Sequence, residues 1–226
     1  MEIDKPIEKS KVIYFRKKIL NWYRKEGRKY SWRNGNYNEH QIIISEILLQ
    51  RTKAEVISKF IEIFFNEFPE WSSIVNAGEN SIKQFLTPIG LQQHRAKRIF
   101  TLAMAMKNHD YKLPANYNEL TKITSFGQYL KNSIELQIYY LPRPLLDINM
   151  VRILKRFFEV KSISDYRNDF HIQNLSHAIV QMKYPLELNW GILDYASLIC
   201  KKKPLCSKCL LKKKCPSYTN NSRQKF

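Results

Sequence analysis

Cys200-Lys-Lys-Lys-Pro-Leu-Cys206-Ser-Lys-Cys209-Leu-Leu-Lys-Lys-Lys-Cys215 holds all four cysteines of the chain, separated by gaps of five, two and five residues. Disulfides spread for stability would not crowd into one short loop. Four thiolates this close can converge on one metal centre, either tetrahedral zinc or an iron–sulfur cube. A zinc ribbon pairs two knuckles with two-residue gaps, and only Cys206 and Cys209 make one here. The wide outer gaps suit a loop wrapped round a larger object, which favours [4Fe–4S] over zinc. Four unliganded thiols in a basic tail are the plain alternative. The intervening lysines, Lys201, Lys202 and Lys203 among them, make the loop a positive knob suited to phosphate contact.

The remaining composition agrees with such a partner. The 226 residues suffice for one large domain or two small ones. Apolar residues make up 44% and aromatics 13%, so a core can form and wholesale disorder is excluded. Lysine and arginine number 38 against 20 acidic residues, a net charge of +18. That excess exceeds what solubility requires and points to a polyanion, nucleic acid before a membrane surface. No span approaches the ~20 apolar residues of a membrane-crossing helix. The longest apolar run, 42–49, is interrupted by Ser45 and Glu46. The opening Met-Glu-Ile-Asp-Lys-Pro lacks the basic-then-apolar layout of a signal peptide. A reducing compartment, cytosolic or nuclear and not secretory, is expected, and it suits thiolates that hold a metal.

Glycines number six and prolines nine, and helical spacing dominates. Ser10 is expected to cap a first helix with Val12, Phe15, Ile19 and Trp22 on one side, ended by Gly27. A second helix is expected over about 40–51. The third carries the clearest stripe, Val56, Ile57, Phe60, Ile61, Phe64, Phe65 and Phe68, closed by Pro69. Short helices should open at Ser72 or Ser73 and span 81–87. Further helices are expected over about 93–106, 117–122, 128–140, 151–158, 172–182 and 188–199, followed by a frayed polar tail over 216–226. No period-2 strand or repeat is evident, so the fold class is all-α.

Two segments invite a chemical reading. Ile123-Thr-Ser-Phe-Gly127-Gln-Tyr129 is a tight turn between helices. The free N–H groups of the helix that follows bind phosphate well, although such joints are common and mostly structural. About twenty residues later, Asp147 stands among apolar neighbours just ahead of a helix, where an ordinary N-cap is the plain alternative.

Taken together, the helical joint, Asp147, Ser45-Glu-Ile-Leu-Leu-Gln-Arg-Thr52 and the cysteine loop resemble the helix-hairpin-helix DNA glycosylases, the endonuclease III and MutY relatives. The resemblance covers roughly residues 30–215. Trp32-Arg33 is similar to the family's Pro-Trp-Arg entry, and Gly90-Leu-Gln-Gln-His-Arg-Ala96 to its Gly-Leu-x-x-x-Lys/Arg-Ala helix start. Asp147-Ile-Asn149-Met-Val-Arg152 is similar to the Asp-x-Asn-Val-x-Arg pattern of the mismatch-specific branch. The resemblance implies a six-helix barrel over 38–140, with the hairpin at about 118–140. It implies an iron–sulfur cluster domain built from 1–37 and 141–226, with [4Fe–4S] on Cys200, Cys206, Cys209 and Cys215. Mismatched or damaged double-stranded DNA would lie across the cleft between the domains, bound by a monomer, with the target nucleotide flipped out.

The chemistry implied is hydrolysis of an N-glycosidic bond, which builds positive charge on the deoxyribose. A carboxylate at ~4 Å and an effective dielectric of ~20 offsets about 4 kcal/mol of that charge, roughly a thousandfold in rate. Asp147 matches the family's aspartate for this role, and Asn149 would position it or a phosphate. Glu46 matches the MutY-branch general acid. Its apolar neighbours Ile44, Ile47, Leu48 and Leu49 would raise its pKa, whereas a solvated helix position is the plain alternative. Tyr129 stands where bifunctional members carry a Schiff-base lysine, and a phenol forms no imine. Lys131 lies about 200° round the helix and is a poor substitute. Ser125, Gly127 and Gln128 would clamp the DNA backbone, and Gln50 or Arg51 would fill the gap left in the duplex.

This sequence departs from the family at three points. Ser125 replaces the first hairpin glycine, the first cysteine gap is one residue short, and 94–98 is one residue shorter than in MutY. The last feature matches the thymine-removing enzymes and endonuclease III. The chain also ends eleven residues after Cys215, where MutY enzymes usually continue into a recognition domain. The expected function is a monofunctional mismatch glycosylase of base excision repair, with thymine or uracil opposite G ahead of adenine opposite G or 8-oxoguanine. A bifunctional glycosylase/lyase, a non-catalytic DNA-binding module and a zinc ribbon are the competing readings.

Overall fold

The computed structural model describes residues 8–114, 119, 127–160 and 165–223. Among these residues the α-helices are α1 (Lys9–Glu26), α2 (Glu39–Leu49), α3 (Ala54–Glu67), α4 (Trp71–Phe85), α5 (Gln92–Lys107), α6 (Gln128–Gln137), α7 (Ile148–Phe158), α8 (Phe170–Val180), α9 (Pro185–Leu198) and α10 (Pro216–Arg223). No strand occurs among them, as the helical periodicities require. None of these helices is long and apolar enough to cross a membrane. Two compact units form, one from residues 29–139 and one from 1–28 with 140–226.

Helix α2 is the centre of the 29–139 unit. It packs against α3, α5 and α6, so it is apolar nearly all round, with Ile43, Ile44, Ile47 and Leu48 buried. A capping box starts it: Asn38 Oδ1 accepts from Gln41 N at 2.9 Å, and Gln41 Oε1 accepts from Asn38 N at 3.0 Å. The stripe on α3 buries Ile57, Phe60, Ile61, Phe64 and Phe65 in the same core, each fully buried side chain contributing about 2 kcal/mol. Val56, read as part of that stripe, is exposed. The two short helices expected after Pro69 are one element, α4, bent at Gly78 (φ 76°, ψ 161°). Glu70 caps it, so it opens before Ser72 and Ser73; Ser73 supplies the returning half of the capping box.

In the other unit α1 lies along α9. Gly191 permits that approach, since a Cβ there would meet Ile19 Cγ2 and Tyr23 Cβ at 3.0 Å. Asp194 of α9, fully buried, pairs with Arg28 at 2.7 Å. Glu8, not Ser10, is the N-cap of α1, and the Ser10 hydroxyl donates to the Glu8 carboxylate. Gly27 ends α1 as expected. The tail read as frayed is helical over Pro216–Arg223. Pro216 is preset for a first helical turn, and Ser217 Oγ ties that turn to the Arg156 carbonyl at 2.9 Å. The hairpin residues Ile123 to Phe126, Ser125 included, and the 117–122 helix lie outside the described residues, apart from Glu119.

Candidate active site and cysteine loop

Burying α2 on all sides carries Glu46 into the interior, where it is 4% exposed. Its Oε1 accepts from Gln137 Nε2 of α6 at 2.8 Å. Its Oε2 is buried with no hydrogen-bond partner among the described residues. Desolvation pushes the carboxyl above the ordinary glutamate range, while Gln137, Ser133, the charge of Arg33 and the Tyr129 hydroxyl pull the other way. Helix α6 supplies three of these groups because its inner face is partly polar: Asn132, Ser133 and Glu135 are buried beside Leu130 and Ile134. Gly127 is its exposed, extended N-cap, and Gln128 and Tyr129 form its first turn.

Asp147, in the other unit, caps α7. Oδ1 accepts from Asn149 N at 2.8 Å and Met150 N at 2.7 Å, and Oδ2 accepts from Asn149 Nδ2 at 2.6 Å. The N-cap alternative is thus the observed geometry, and it holds both oxygens in place. Burial raises the Asp147 pKa, opposed by the Met150 and Asn149 bonds and by the charge of Arg152. The Asp147 charge in turn helps to raise the phenol of Tyr166, behind the larger effect of burial. Asn149 Oδ1 accepts from Arg152 Nη2 at 3.0 Å, and Arg152 Nε donates to the Cys200 carbonyl at 2.9 Å. A continuous hydrogen-bonded chain thus joins the aspartate to the start of the cysteine loop.

One turn further along α7, Arg156 donates to the carbonyls of Lys201 at 2.6 Å and Lys202 at 2.9 Å, and reaches Cys200 Sγ at 3.5 Å. Tyr195, fully buried, donates to Cys209 Sγ at 3.4 Å and accepts from Leu210 N at 2.7 Å. The thiols of Cys206 and Cys215 are both pushed up, by burial first and then by Cys209 and Cys200. Among the described residues no group of three or more His, Cys, Asp or Glu side chains is arranged to hold a metal ion. Lys201, Lys202 and Lys203 are exposed on the loop.

The segment after α2 is held by two arginines of α5. Arg95, 4% exposed, donates to the carbonyls of Leu48 (2.8 Å), Gln50 (2.9 Å) and Gly90 (2.7 Å) and to Thr52 Oγ1 (2.6 Å). Arg98 donates to Gln50 Oε1 at 2.6 Å. Gln50 is thereby fastened, whereas Arg51 is exposed in the left-handed region, with φ 61°. Sequence reasoning assigned no role to Arg95, Arg98, Ser133, Gln137 or Arg156. For Arg156 a signal existed, its four-residue spacing from Arg152 on one helix face.

A family model described as HhH-GPD superfamily base excision DNA repair protein matches residues 44–180. A thymine-DNA glycosylase of Aeropyrum pernix is 30% identical over 95% of this chain and 99% of its own length. An adenine DNA glycosylase of Buchnera aphidicola is 28% identical over 93% of this chain and 60% of its own. A solved thermostable thymine-DNA glycosylase superposes with a TM-score of 0.82 at 26% identity, over 93% of this chain and 98% of that one.

Proposed function

Because the chain belongs to the HhH-GPD superfamily of base excision DNA repair proteins, we propose that it is a monofunctional DNA N-glycosylase acting as a monomer on mismatched duplexes. Its reaction hydrolyses the bond between a flipped, mispaired base and its deoxyribose. The observation that carries this reading is the buried Glu46, a carboxyl kept protonatable by desolvation, with one oxygen unpartnered. It serves as the general acid to the departing base. Asp147, both oxygens fixed by N–H groups, faces the sugar and offsets its developing positive charge. Tyr129 cannot form an imine, so strand cleavage does not accompany base removal. Gly127, Gln128 and Ser125 contact the DNA backbone, and exposed Arg51 is better placed than tethered Gln50 to enter the duplex.

Thymine or uracil opposite G is the first substrate, supported by the extent of the match to the Aeropyrum pernix relative. Adenine opposite G or 8-oxoguanine is the second, favoured by the buried acid, since adenine departs more readily when protonated. Cys200, Cys206, Cys209 and Cys215 would hold a [4Fe–4S] cluster. Donors at two of the sulfurs, Arg156 and Tyr195, fit thiolates in that state. When bound, the cluster supplies a covalent cross-link of the loop. Arg156 and Tyr195 hold the loop to α7 and α9.

The test is single-turnover reaction of a panel of G·T, G·U, A·G and A·8-oxoguanine duplexes, read before and after alkali. Strand breaks only after alkali are expected. Breaks without alkali indicate a lyase, and none in either condition indicates a binding module. Iron and sulfide analysis of the same preparation reads the cluster, and zinc in their place would overturn it.

A further inference from the structure

The inner face of α6 poses a question that base chemistry alone does not answer: a general acid has two oxygens, and only one can deliver its proton to a given place. Gln137 Nε2 lies 2.8 Å from Glu46 Oε1 and 2.7 Å from Ser133 Oγ. A primary amide has two hydrogens, and these two acceptors use both. Ser133, itself fully buried one turn earlier on α6, thus sets which way the amide faces. An oxygen that accepts the Gln137 bond is the carbonyl oxygen of the protonated acid. The hydroxyl must then be the other oxygen, which is buried and unpartnered.

We propose that Gln137, oriented by Ser133, is a positioning residue that ties down Oε1 of Glu46 and so confines the transferable proton to Oε2. The proposal rests on the reading of Glu46 as the general acid. In the step it serves, the bond between base and sugar breaks and its electron pair leaves with the base. The Oε2–H bond breaks and its proton joins the base, leaving that electron pair on Oε2. Water then adds to the sugar carbon and releases a proton, so the sum is hydrolysis. The carboxylate left behind keeps its Gln137 bond. The charged and titratable groups acting on it are Arg33, from the turn Ser31–Arg33, and Tyr129 of α6.

Removing Gln137 has a definite sign. A donor to a carboxylate favours the anion, so its loss raises the pKa of Glu46. Base removal needs the protonated form, so the alkaline limb of the pH–rate profile must move up. The Gln137→Met variant keeps the side-chain length at a half-buried site and removes the donor. The Ser133→Ala variant keeps the amide, frees its orientation and also removes the serine's own downward pull on the Glu46 carboxyl. The Glu46 carboxyl is followed by carbon NMR titration, assigned with Glu46→Gln, beside single-turnover pH profiles on the best duplex. For Gln137→Met, the titration midpoint and the alkaline limb should rise together by roughly one unit. The plateau rate should fall about tenfold, part of the contribution of a positioned acid. Ser133→Ala should shift both in the same direction by less. An unmoved midpoint, or a moved midpoint with an unmoved limb, overturns the role given to Gln137 alone. A shifted midpoint in a protein that removes no base overturns Glu46 as the acid, and the role of Gln137 with it.

Discussion

His40 shows how far a single side chain can be taken from water without a partner. It is 6% exposed, its ring edge-on to Trp71 at 4.5 Å and to Phe65 at 6.0 Å, and neither nitrogen has a hydrogen-bond partner among the described residues. Burial lowers its pKa to about 4. The unfolded chain takes up that proton near the ordinary value of about 6.5, whereas the folded chain takes it up only near 4. Its favourable contribution is therefore complete above the unfolded value and is lost as the pH falls between the two. The loss is about 3 kcal/mol at most. Urea unfolding at neutral pH and near the folded pKa should find His40→Leu relieved of most of that acid penalty, and equal acid losses in both proteins would contradict it. Asp147 poses the complementary case. Asparagine is as good an N-cap as aspartate, so Asp147→Asn should keep α7 while removing the charge. Base removal should fall roughly a thousandfold with duplex affinity unchanged in a binding titration. Retained activity would move the sugar-facing carboxylate elsewhere.

At the scale of elements, Arg95 does for α2 what a terminal cap does for simpler helices. Its guanidinium satisfies the Leu48 carbonyl in the last turn of α2, the Gln50 carbonyl just past its end and the Gly90 carbonyl before α5. Replacing it with methionine fills the space and leaves those acceptors unpaired, at a cost of about 3 kcal/mol. Chemical denaturation should show this loss, and a fall of under about 1 kcal/mol would mean that water replaces the guanidinium. Elements of this kind divide what the sequence discloses from what it hides. The α3 stripe was legible because one face of that helix meets the core and the other meets solvent. The cap of α2 was not: its capping box depends on two polar residues, Asn38 and Gln41, ahead of an apolar run without periodicity. Asp147, Glu46 and the four cysteines were legible as residue types in a recognisable order. Gln137 was not, because its meaning comes from a partner 91 residues away across α2 and α6. The bend in α4 was readable only as two helices, since one glycine with positive φ interrupts a pattern that otherwise continues.

The whole molecule carries a net charge of +18, and where that charge meets DNA decides how binding responds to salt. Each phosphate neutralised releases condensed counterions, so the logarithm of affinity falls with the logarithm of salt by about 0.9 per contact. Much of the excess is spread over α1, where Lys9, Lys11, Lys17, Lys18 and Lys25 can act only as diffuse attraction unless they touch the duplex. The cysteine loop is different, because Arg156 fixes the Lys201 and Lys202 carbonyls and so holds the backbone that presents these lysines. A fixed cation neutralises a particular phosphate; a mobile one exchanges among many. Replacing Lys201, Lys202 and Lys203 together with alanine should therefore lower the salt slope by about 2–3 and weaken binding to matched and mismatched duplexes alike. Phosphate contacts carry no sequence information, so the preference among mismatches should survive, and so should the rate of base removal at saturating protein. An unchanged slope would mean that the loop lysines stay in solvent and the duplex is held by other cations. A slope that falls together with the saturated rate would mean that the loop also orients the aspartate, through the chain that runs from the Cys200 carbonyl by way of Arg152 and Asn149 to Asp147.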